Sequence, residues 1–196
     1  NINVSKGNFD RDYQSGKFAM TQSLTATLLP GLTLKGTMSW FYNEEYDESF
    51  NHQYINSQAG AVNPDGNNGV NRSYNTSASF SRIFDQTYNV VANFNRTFDD
   101  KHTVNVMAGT EFYKRRYRGF SAGGYGAPTG YFPGLGLTQN DADVQSRTMS
   151  SFHYEEAIMS YFGRAEYDYM DKYLFAATFR ADGYSRLVNN KWGTFP

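Results

Sequence analysis

The chain contains no cysteine, no long apolar run and no marked net charge. Without cysteine it can form neither a disulfide framework nor a thiolate metal site. No apolar run reaches the roughly 18 residues that a membrane-spanning helix needs, and no basic-then-apolar signal segment opens the chain. The formal net charge of -1 gives no general attraction to nucleic acid. These absences argue against a disulfide-stapled domain, a helical membrane protein and a nucleic-acid binder.

Aromatic residues are abundant, because the 196 residues include 16 Tyr and 16 Phe. The chain is nevertheless hydrophilic on average. Its length is sufficient for one domain with a core. An aromatic-rich but hydrophilic chain needs a structure that separates the two kinds of side chain.

Apolar and polar residues alternate along most of one very long segment, from Tyr74 to Phe98. The even positions include Phe80, Val90 and Phe94, whereas the odd positions are mostly Asn, Ser and Thr. Period two is the period of a β-strand. At about 3.3 Å per residue this strand would be roughly 80 Å long, far beyond the ~17 to 20 Å usual in globular sheets.

Five further segments alternate in the same way, so the sequence predicts about six long strands. Their polar positions are mainly Thr, Ser, Asn and charged residues. Their apolar positions are Phe18, Met20, Leu24, Ala26 and Leu28; Leu32, Leu34, Met38, Trp40 and Tyr42; Val104, Val106, Ala108 and Phe112; Met159, Tyr161, Ala165 and Tyr167; and Tyr173, Phe175, Ala177 and Phe179.

The predicted strands are joined alternately by short and long connections. Tight turns are expected at 29–32, 98–102 and 169–173, and long connections at about 46–72 and 119–150. Bacterial outer-membrane barrels have this rhythm, with short periplasmic turns, long extracellular loops, and strands that face lipid and lumen alternately. The predicted fold is therefore an all-β, antiparallel transmembrane β-barrel. Six strands cannot close around a polar lumen, so we expect a section of a larger barrel whose ends at Asn1 and Pro196 are cuts.

The last part of the chain resembles the SusC/RagA-type TonB-dependent transporters of the Bacteroidota outer membrane. The motifs are "SYFGR" at 160–164, "KY" at 172–173, "RADGYS" at 180–185 and "NKWGTFP" at 190–196, with "LLPGLTLKGTMSW" at 28–40 as a weaker match. Tyr184 stands where the family usually has Ser, and Leu187 where it often has Phe. Neither departure affects the predicted fold.

The resemblance implies a barrel of 22 strands in the whole protein. Residues 1–196 would be one partial barrel domain that contains neither the plug domain nor the TonB box. The whole protein would import a nutrient such as an oligosaccharide or a peptide, with a SusD-like surface lipoprotein and with TonB acting through the missing N-terminal part. Outer-membrane lipid would surround it.

Charged residues near the last tight turn are the first candidate site. Arg180 and Asp182 are two apart on one strand, and Arg164 and Glu166 are two apart on its neighbour, so all four point to the polar face. We expect them to form a lumen charge network with cross-strand pairs. Gly183 is expected to permit a turn at the outer end of its strand.

Two further candidate sites are expected near the long connections. Lys114, Arg116 and Arg118 follow the apolar face of one strand outward, where they could bind lipopolysaccharide phosphates or be merely solvated. Aromatic residues among glycines and prolines could stack on a substrate, or pack against a lid or each other. They are Tyr117, Phe120, Tyr125, Tyr131 and Phe132.

Metal and catalytic signals are weak. His52, His102 and His153 lie far apart, and Glu155 and Glu156 point to opposite faces of a strand. No cofactor is expected, although the oxygen-rich stretches at 63–69 and 140–143 could hold calcium without matching the EF-hand pattern. The expectation is therefore a protein that is not an enzyme.

Two alternatives remain open at the level of the sequence. A secreted β-sandwich that binds glycans or acts as an adhesin would have short strands and an apolar core between two layers. An enzyme embedded in an outer-membrane barrel would need a convergent catalytic group. The long strands and the one-sided loop lengths favour the transporter.

Overall fold

The structure, a computed structural model, describes residues 9–51, 54–55, 70–71, 74–127, 134–138, 147–186 and 192–195. Almost all of these residues are extended, as the alternating pattern predicts. The strands are β1 (Phe9–Leu29), β2 (Leu32–Asn51), β3 (Tyr54–Ile55), β4 (Val70–Asn71), β5 (Tyr74–Phe98), β6 (His102–Ala127), β7 (Arg147–Tyr169), β8 (Tyr173–Tyr184) and β9 (Trp192–Phe195), with a 3-10 helix at Leu135–Leu137.

Seven of the strands form one sheet in the order β1-β2-β5-β6-β7-β8-β9. The remaining two, β3 and β4, form an antiparallel ladder of their own. Sequential long strands are neighbours throughout, which is the arrangement that alternating hairpin turns and returning loops produce. The predicted all-β antiparallel fold is confirmed.

The three predicted tight turns are present at Pro30–Gly31, Asp99–Lys101 and Met170–Lys172. Gly31 has φ +87°, and a Cβ at this position would lie 2.3 Å from the carbonyl oxygen of Asn95. The amide of Asn95 in turn donates a 2.7 Å hydrogen bond to the carbonyl of Gly31. Only glycine can both adopt this conformation and allow that approach.

The strands match the prediction closely at the tight turns and less closely at their other ends. β5 occupies the predicted residues Tyr74–Phe98. By contrast β6 continues to Ala127 and β7 begins at Arg147, so the connection predicted at 119–150 is shorter. Glycines in β6 explain the difference: a Cβ at Gly119 would lie 2.4 Å from the ring of Phe152 on β7. These glycines make room for bulky neighbours instead of marking a loop.

Gly183 corrects a second expectation, because it lies inside β8 and not in a turn. It is paired with Met159 of β7 and with Trp192 of β9, and the turn follows at Ser185–Arg186. Only Gly31 among the described glycines has a positive φ. Gly183 is therefore part of a paired strand, and it leaves one face of β8 without a side chain at this position.

The chain divides into two compact units. Unit 1 consists of Asn1–Gly16, Asn43–Arg82 and Tyr117–His153, and unit 2 of Lys17–Tyr42, Ile83–Arg116 and Tyr154–Pro196. Buried apolar side chains among the described residues are few: Phe50 and Ala78 in unit 1, and Ala181 in unit 2. A sandwich would bury one face of every strand. The β-sandwich alternative is therefore wrong.

Candidate functional site

Large apolar side chains are exposed on one face of unit 2. Leu24 on β1 is 78% exposed, Val90 on β5 46% and Phe175 on β8 67%. They occupy the positions that the alternation assigned to lipid, and Leu28, Met38, Val106, Tyr161 and Phe179 share this exposure. We call this the apolar face of unit 2. An exposed apolar surface of this extent is typical of a face that contacts lipid or another protein.

Aromatic clusters lie at two levels of this apolar face. Near the tight turns, His102 Nδ1 is 2.7 Å from the Tyr167 hydroxyl and the His102 ring packs on Tyr169 at 5.0 Å. At the second level, Tyr88 stacks on Phe112 at 6.5 Å and Trp40 Nε1 donates to the Tyr88 hydroxyl at 3.1 Å.

The spacing of the two levels matches a membrane. His102 and Phe112 are separated by ten residues of β6. At about 3.3 Å per residue and a tilt of about 40° they lie roughly 25 Å apart along the membrane normal. This is the height of the apolar band of outer-membrane barrels, whose aromatic girdles lie at both interfaces.

The opposite face of unit 2, its polar face, carries the predicted lumen charges. Arg180 Nε lies 3.0 Å from Asp182 Oδ1, and its guanidinium also donates to the Ser160 hydroxyl at 3.2 Å. Arg164 pairs with Glu166. Each ion pair therefore runs along one strand.

The expected cross-strand pairing is wrong. Arg180 lies opposite Phe162 and Asp182 opposite Ser160, whereas Arg164 and Glu166 lie opposite Thr178 and Ala176. The register sets the two pairs apart along the ladder, because a β-turn of three residues fixes which positions face each other. The sequence indicated that the four charged residues share one face, but it did not indicate that the two ion pairs are offset along the strands.

Two polar groups farther from the tight turns in unit 2 were not predicted from the sequence. Arg115 makes two 2.8 Å hydrogen bonds to Asp85. Glu156 accepts hydrogen bonds from the hydroxyls of Tyr154 at 2.5 Å and Tyr184 at 2.6 Å. These bonds favour the ionised carboxylate, and the hydrogen bond to Glu156 raises the pKa of Tyr154 to about 12. Tyr154 and Glu156 lie beyond the 9 to 11 residues of β7 that cross a bilayer from the Tyr169 turn.

Unit 1 has a polar groove that was not predicted either. Its volume is about 420 Å³, and its lining includes the Ser49 and Ser77 hydroxyls, which are 2.7 Å apart, as well as Ser121 and Thr148. An ion pair between Arg11 and Asp47 lies at its edge. The hydrogen bond from Arg11 holds the pKa of Asp47 below its ordinary value. Alternate serines in "TSASFS" are the signal that could have indicated this hydroxyl-lined face.

The predicted aromatic site is not brought together as expected. Tyr117 packs on Phe152 at 4.6 Å, on the face of Thr148. Phe120 stacks on Phe80 at 5.7 Å, on the other face of unit 1. Both residues belong to β6 and not to a loop. The side chain of Tyr125 and all of Tyr131 and Phe132 lie outside the described residues.

The predicted cationic site is partly assembled. Lys114 Nζ is 3.0 Å from Glu155 Oε2, and Arg116 Nε is 3.3 Å from Glu155 Oε1. These residues extend the apolar face of unit 2 beyond Phe112. Arg118 is exposed and belongs to unit 1. The binding of lipid phosphate by these residues stays a prediction.

No cluster of metal-ligating side chains occurs within the described residues. The two oxygen-rich stretches at 63–69 and 140–143 lie outside them, so a calcium site stays a prediction. His52 also lies outside, and His102 contacts tyrosines. In the part of the chain that the structure describes, no helix has the length and apolar character to cross a membrane.

Comparison with known proteins agrees with this arrangement. The chain is 31% identical over 175 residues to the TonB-dependent receptor P39 of Formosa agariphila, an alignment covering 88% of the chain and 15% of that relative. It is 42% identical over 60 residues to the TonB-dependent receptor SusC of Bacteroides thetaiotaomicron, covering 30% of the chain and 6% of SusC. No protein-family model matches the chain.

Solved structures show the same fold. The RagAB peptide transporter has a TM-score of 0.79 at 16% identity, and the match covers 96% of this chain and 20% of that one. The RagAB peptide importer in an open state has a TM-score of 0.80 at 18% identity, with 97% and 20% covered. At these identities the likeness concerns the fold alone.

An apolar face with aromatic clusters at two levels, a polar opposite face and this fold define a section of an outer-membrane β-barrel. The chain belongs to the SusC/RagA-type TonB-dependent family. It spans 15% of the length of the P39 relative.

Proposed function

We propose that the chain forms part of the wall of a TonB-dependent importer that carries an oligosaccharide or a peptide across the outer membrane. The contrast between the apolar face and the polar face of unit 2 supports this function most directly. One face of unit 2 exposes Leu24, Val90 and Phe175, whereas the polar face carries paired charges such as Arg180 with Asp182. A wall of this kind separates lipid from an aqueous interior.

The proposed partners follow from the names of the relatives. The curated relatives are named TonB-dependent receptors, and one of them is SusC. The similar structures are described as a peptide transporter and a peptide importer, RagAB. A SusD-like surface lipoprotein is accordingly proposed as the partner at the extracellular side. In this proposal residues 1–196 are barrel only, and the plug domain and the TonB box belong to other parts of the whole protein.

The polar groove of unit 1 is proposed to line the import path. Hydroxyls of Ser49, Ser77 and Thr148 and the Arg11–Asp47 pair offer donors and acceptors that suit sugar hydroxyls and peptide amides alike. Phe120 and Met149 line a separate groove on the other face of unit 1. Thr148 and Met149 are adjacent in β7, so one residue of each face is available for a matched test.

The test places a bulky side chain on either face of the whole transporter in its native host. Uptake of labelled oligosaccharides and oligopeptides is measured in the wild type, in a deletion strain, and in Thr148→Trp and Met149→Trp strains. We expect deletion to abolish uptake of one of the two substrate classes. Thr148→Trp should reduce that uptake severalfold by narrowing the path, and Met149→Trp should leave it unchanged. Full uptake in the deletion strain for both classes would refute the proposed function.

A further inference from the structure

The apolar face of unit 2 changes from apolar to cationic within one step of β6. Phe112 belongs to the upper aromatic level, and Lys114 and Arg116 follow at the next two positions of the same face. Glu155 on β7 contacts both cations, at 3.0 Å and 3.3 Å. Two cations share one carboxylate, which leaves a net positive charge at this level.

An apolar groove lies beside this cluster. It has a volume of about 260 Å³, and Phe112, Ala157, Met159 and Gly183 contribute to its lining. Ala157 has a small side chain and Gly183 has none, so the surface is depressed next to the ring of Phe112. Ala157 and Met159 follow Glu155 at alternate positions of β7, which places the cation cluster at one end of the groove.

The position of the cluster identifies the leaflet. Lys114 lies twelve residues along β6 from His102, beyond the 9 to 11 residues that cross the hydrocarbon. The tight turns of outer-membrane barrels are periplasmic, so the cluster lies at the outer leaflet. The anionic lipid of that leaflet is lipopolysaccharide, whose lipid A part carries phosphates directly above several acyl chains.

We propose that this part of the surface is a binding site for the lipid A part of one lipopolysaccharide molecule. Lys114 and Arg116 bind a lipid A phosphate, and an acyl chain lies in the groove between Phe112 and Gly183. Charge complementarity favours this occupant over a zwitterionic phospholipid, because phosphatidylethanolamine carries its own ammonium beside its phosphate. Glu155 bridges the two cations and competes with the phosphate for them.

The test titrates the purified, delipidated whole transporter with diphosphoryl lipid A and counts bound lipid by native mass spectrometry. Phosphate-free lipid A and inorganic phosphate serve as separate probes. In the K114Q/R116Q variant the half-saturating lipid A concentration should rise roughly tenfold, because two charge-assisted hydrogen bonds are lost. Ala157→Phe, which fills the groove, should also weaken binding. Arg82→Gln removes a cation paired with Glu44 in unit 1 and should leave binding unchanged.

The Glu155→Gln variant separates lipid binding from a purely structural ion pair. Removing the competing carboxylate should lower the half-saturating lipid A concentration severalfold, even though it breaks both ion pairs. Unchanged or weaker lipid A binding in this variant would overturn the proposal. So would equal binding of phosphate-free lipid A, or binding of inorganic phosphate at the concentrations at which lipid A binds.

Discussion

At the scale of single residues, the exposed ion pair between Arg11 and Asp47 links β1 to β2 on the polar face of unit 1. The single Nε–H of Arg11 on β1 donates a bifurcated hydrogen bond to the two carboxylate oxygens of Asp47 on β2, each at 3.0 Å. These bonds favour the charged carboxylate, which lowers the pKa of Asp47. Exposed ion pairs contribute little to stability, so the pair is expected to set local charge more than folding.

The lowered pKa of Asp47 predicts a pH dependence that Arg11→Gln removes. Since the folded pKa lies below the unfolded value of about 3.9, the contribution of the pair is fully present above that pH. It is lost as the pH falls through the folded pKa. Thermal unfolding of the whole transporter in detergent should therefore show a small stabilisation of the wild type over Arg11→Gln at pH 7 that disappears in strong acid. Asp47→Asn serves as the control and should remove the same pH dependence; an unchanged separation at pH 2 would contradict the prediction.

Residue types could be assigned to faces from the sequence, but contacts between them could not. The sequence places Tyr117 and Phe120 together among glycines and prolines, whereas the strand places their rings on opposite faces, against Phe152 and Phe80. The difference arises because three steps along a strand reverse the face. A segment assumed to be a loop provides no such constraint.

At the scale of secondary structure elements, glycine and phenylalanine interlock between β6 and β7. A Cβ at Gly109 would lie 2.6 Å from two ring atoms of Phe162 in unit 2. Gly119 faces Phe152 in the same way in unit 1. In each case an aromatic ring covers the bare backbone of a strand glycine, which stabilises the pair in spite of the low strand propensity of glycine.

Gly109→Ala is expected to destabilise the barrel by about 1–3 kcal/mol, since the new methyl group forces the Phe162 ring out of place. The double variant with Phe162→Ala should cost less than the sum of the two single variants, with a coupling of about 0.5–3 kcal/mol. Urea unfolding of the four proteins measures this cycle. Gly36→Ala is the control, because a Cβ there would meet no atom within 4 Å. Additive effects of Gly109→Ala and Phe162→Ala would show that the two residues do not interlock.

Strand boundaries could be predicted where turns are tight and not where glycines occur. The Tyr74–Phe98 strand follows from its long alternation, and the three tight turns follow from their Pro-Gly, Asp and Lys residues. The extension of β6 to Ala127 does not, because "GFSAGGYGA" has the composition of a loop. The deciding information lies in the neighbouring strand, where Phe152 and Thr148 occupy the space beside these glycines.

At the scale of the whole molecule, alternation with a period of two was enough to predict the membrane wall. It assigned Leu24, Val90 and Phe175 to lipid, and these side chains are exposed. The ion pairs of the polar face depend on register, which a single sequence does not specify. Residues of β1, β2, β5, β6 and β7 line the polar groove of unit 1. Such a groove can be recognised only once the strand order is known.

Adjacent residues of β6 provide a direct test of the wall. The chain lacks cysteine, so spin labels can be attached at Asn105→Cys and Val106→Cys in the whole transporter once any cysteines elsewhere in it are replaced. Val106 is 40% exposed on the apolar face, and Asn105 points to the polar face. In a lipid bilayer, collisions with oxygen relative to a water-soluble nickel complex should be severalfold more frequent at position 106 than at position 105, because oxygen concentrates in hydrocarbon. The neighbouring pair Asn89→Cys and Val90→Cys should repeat the difference on β5. Equal ratios within both pairs would mean that the apolar face is not in contact with lipid, and the assignment of the chain to a barrel wall would be wrong.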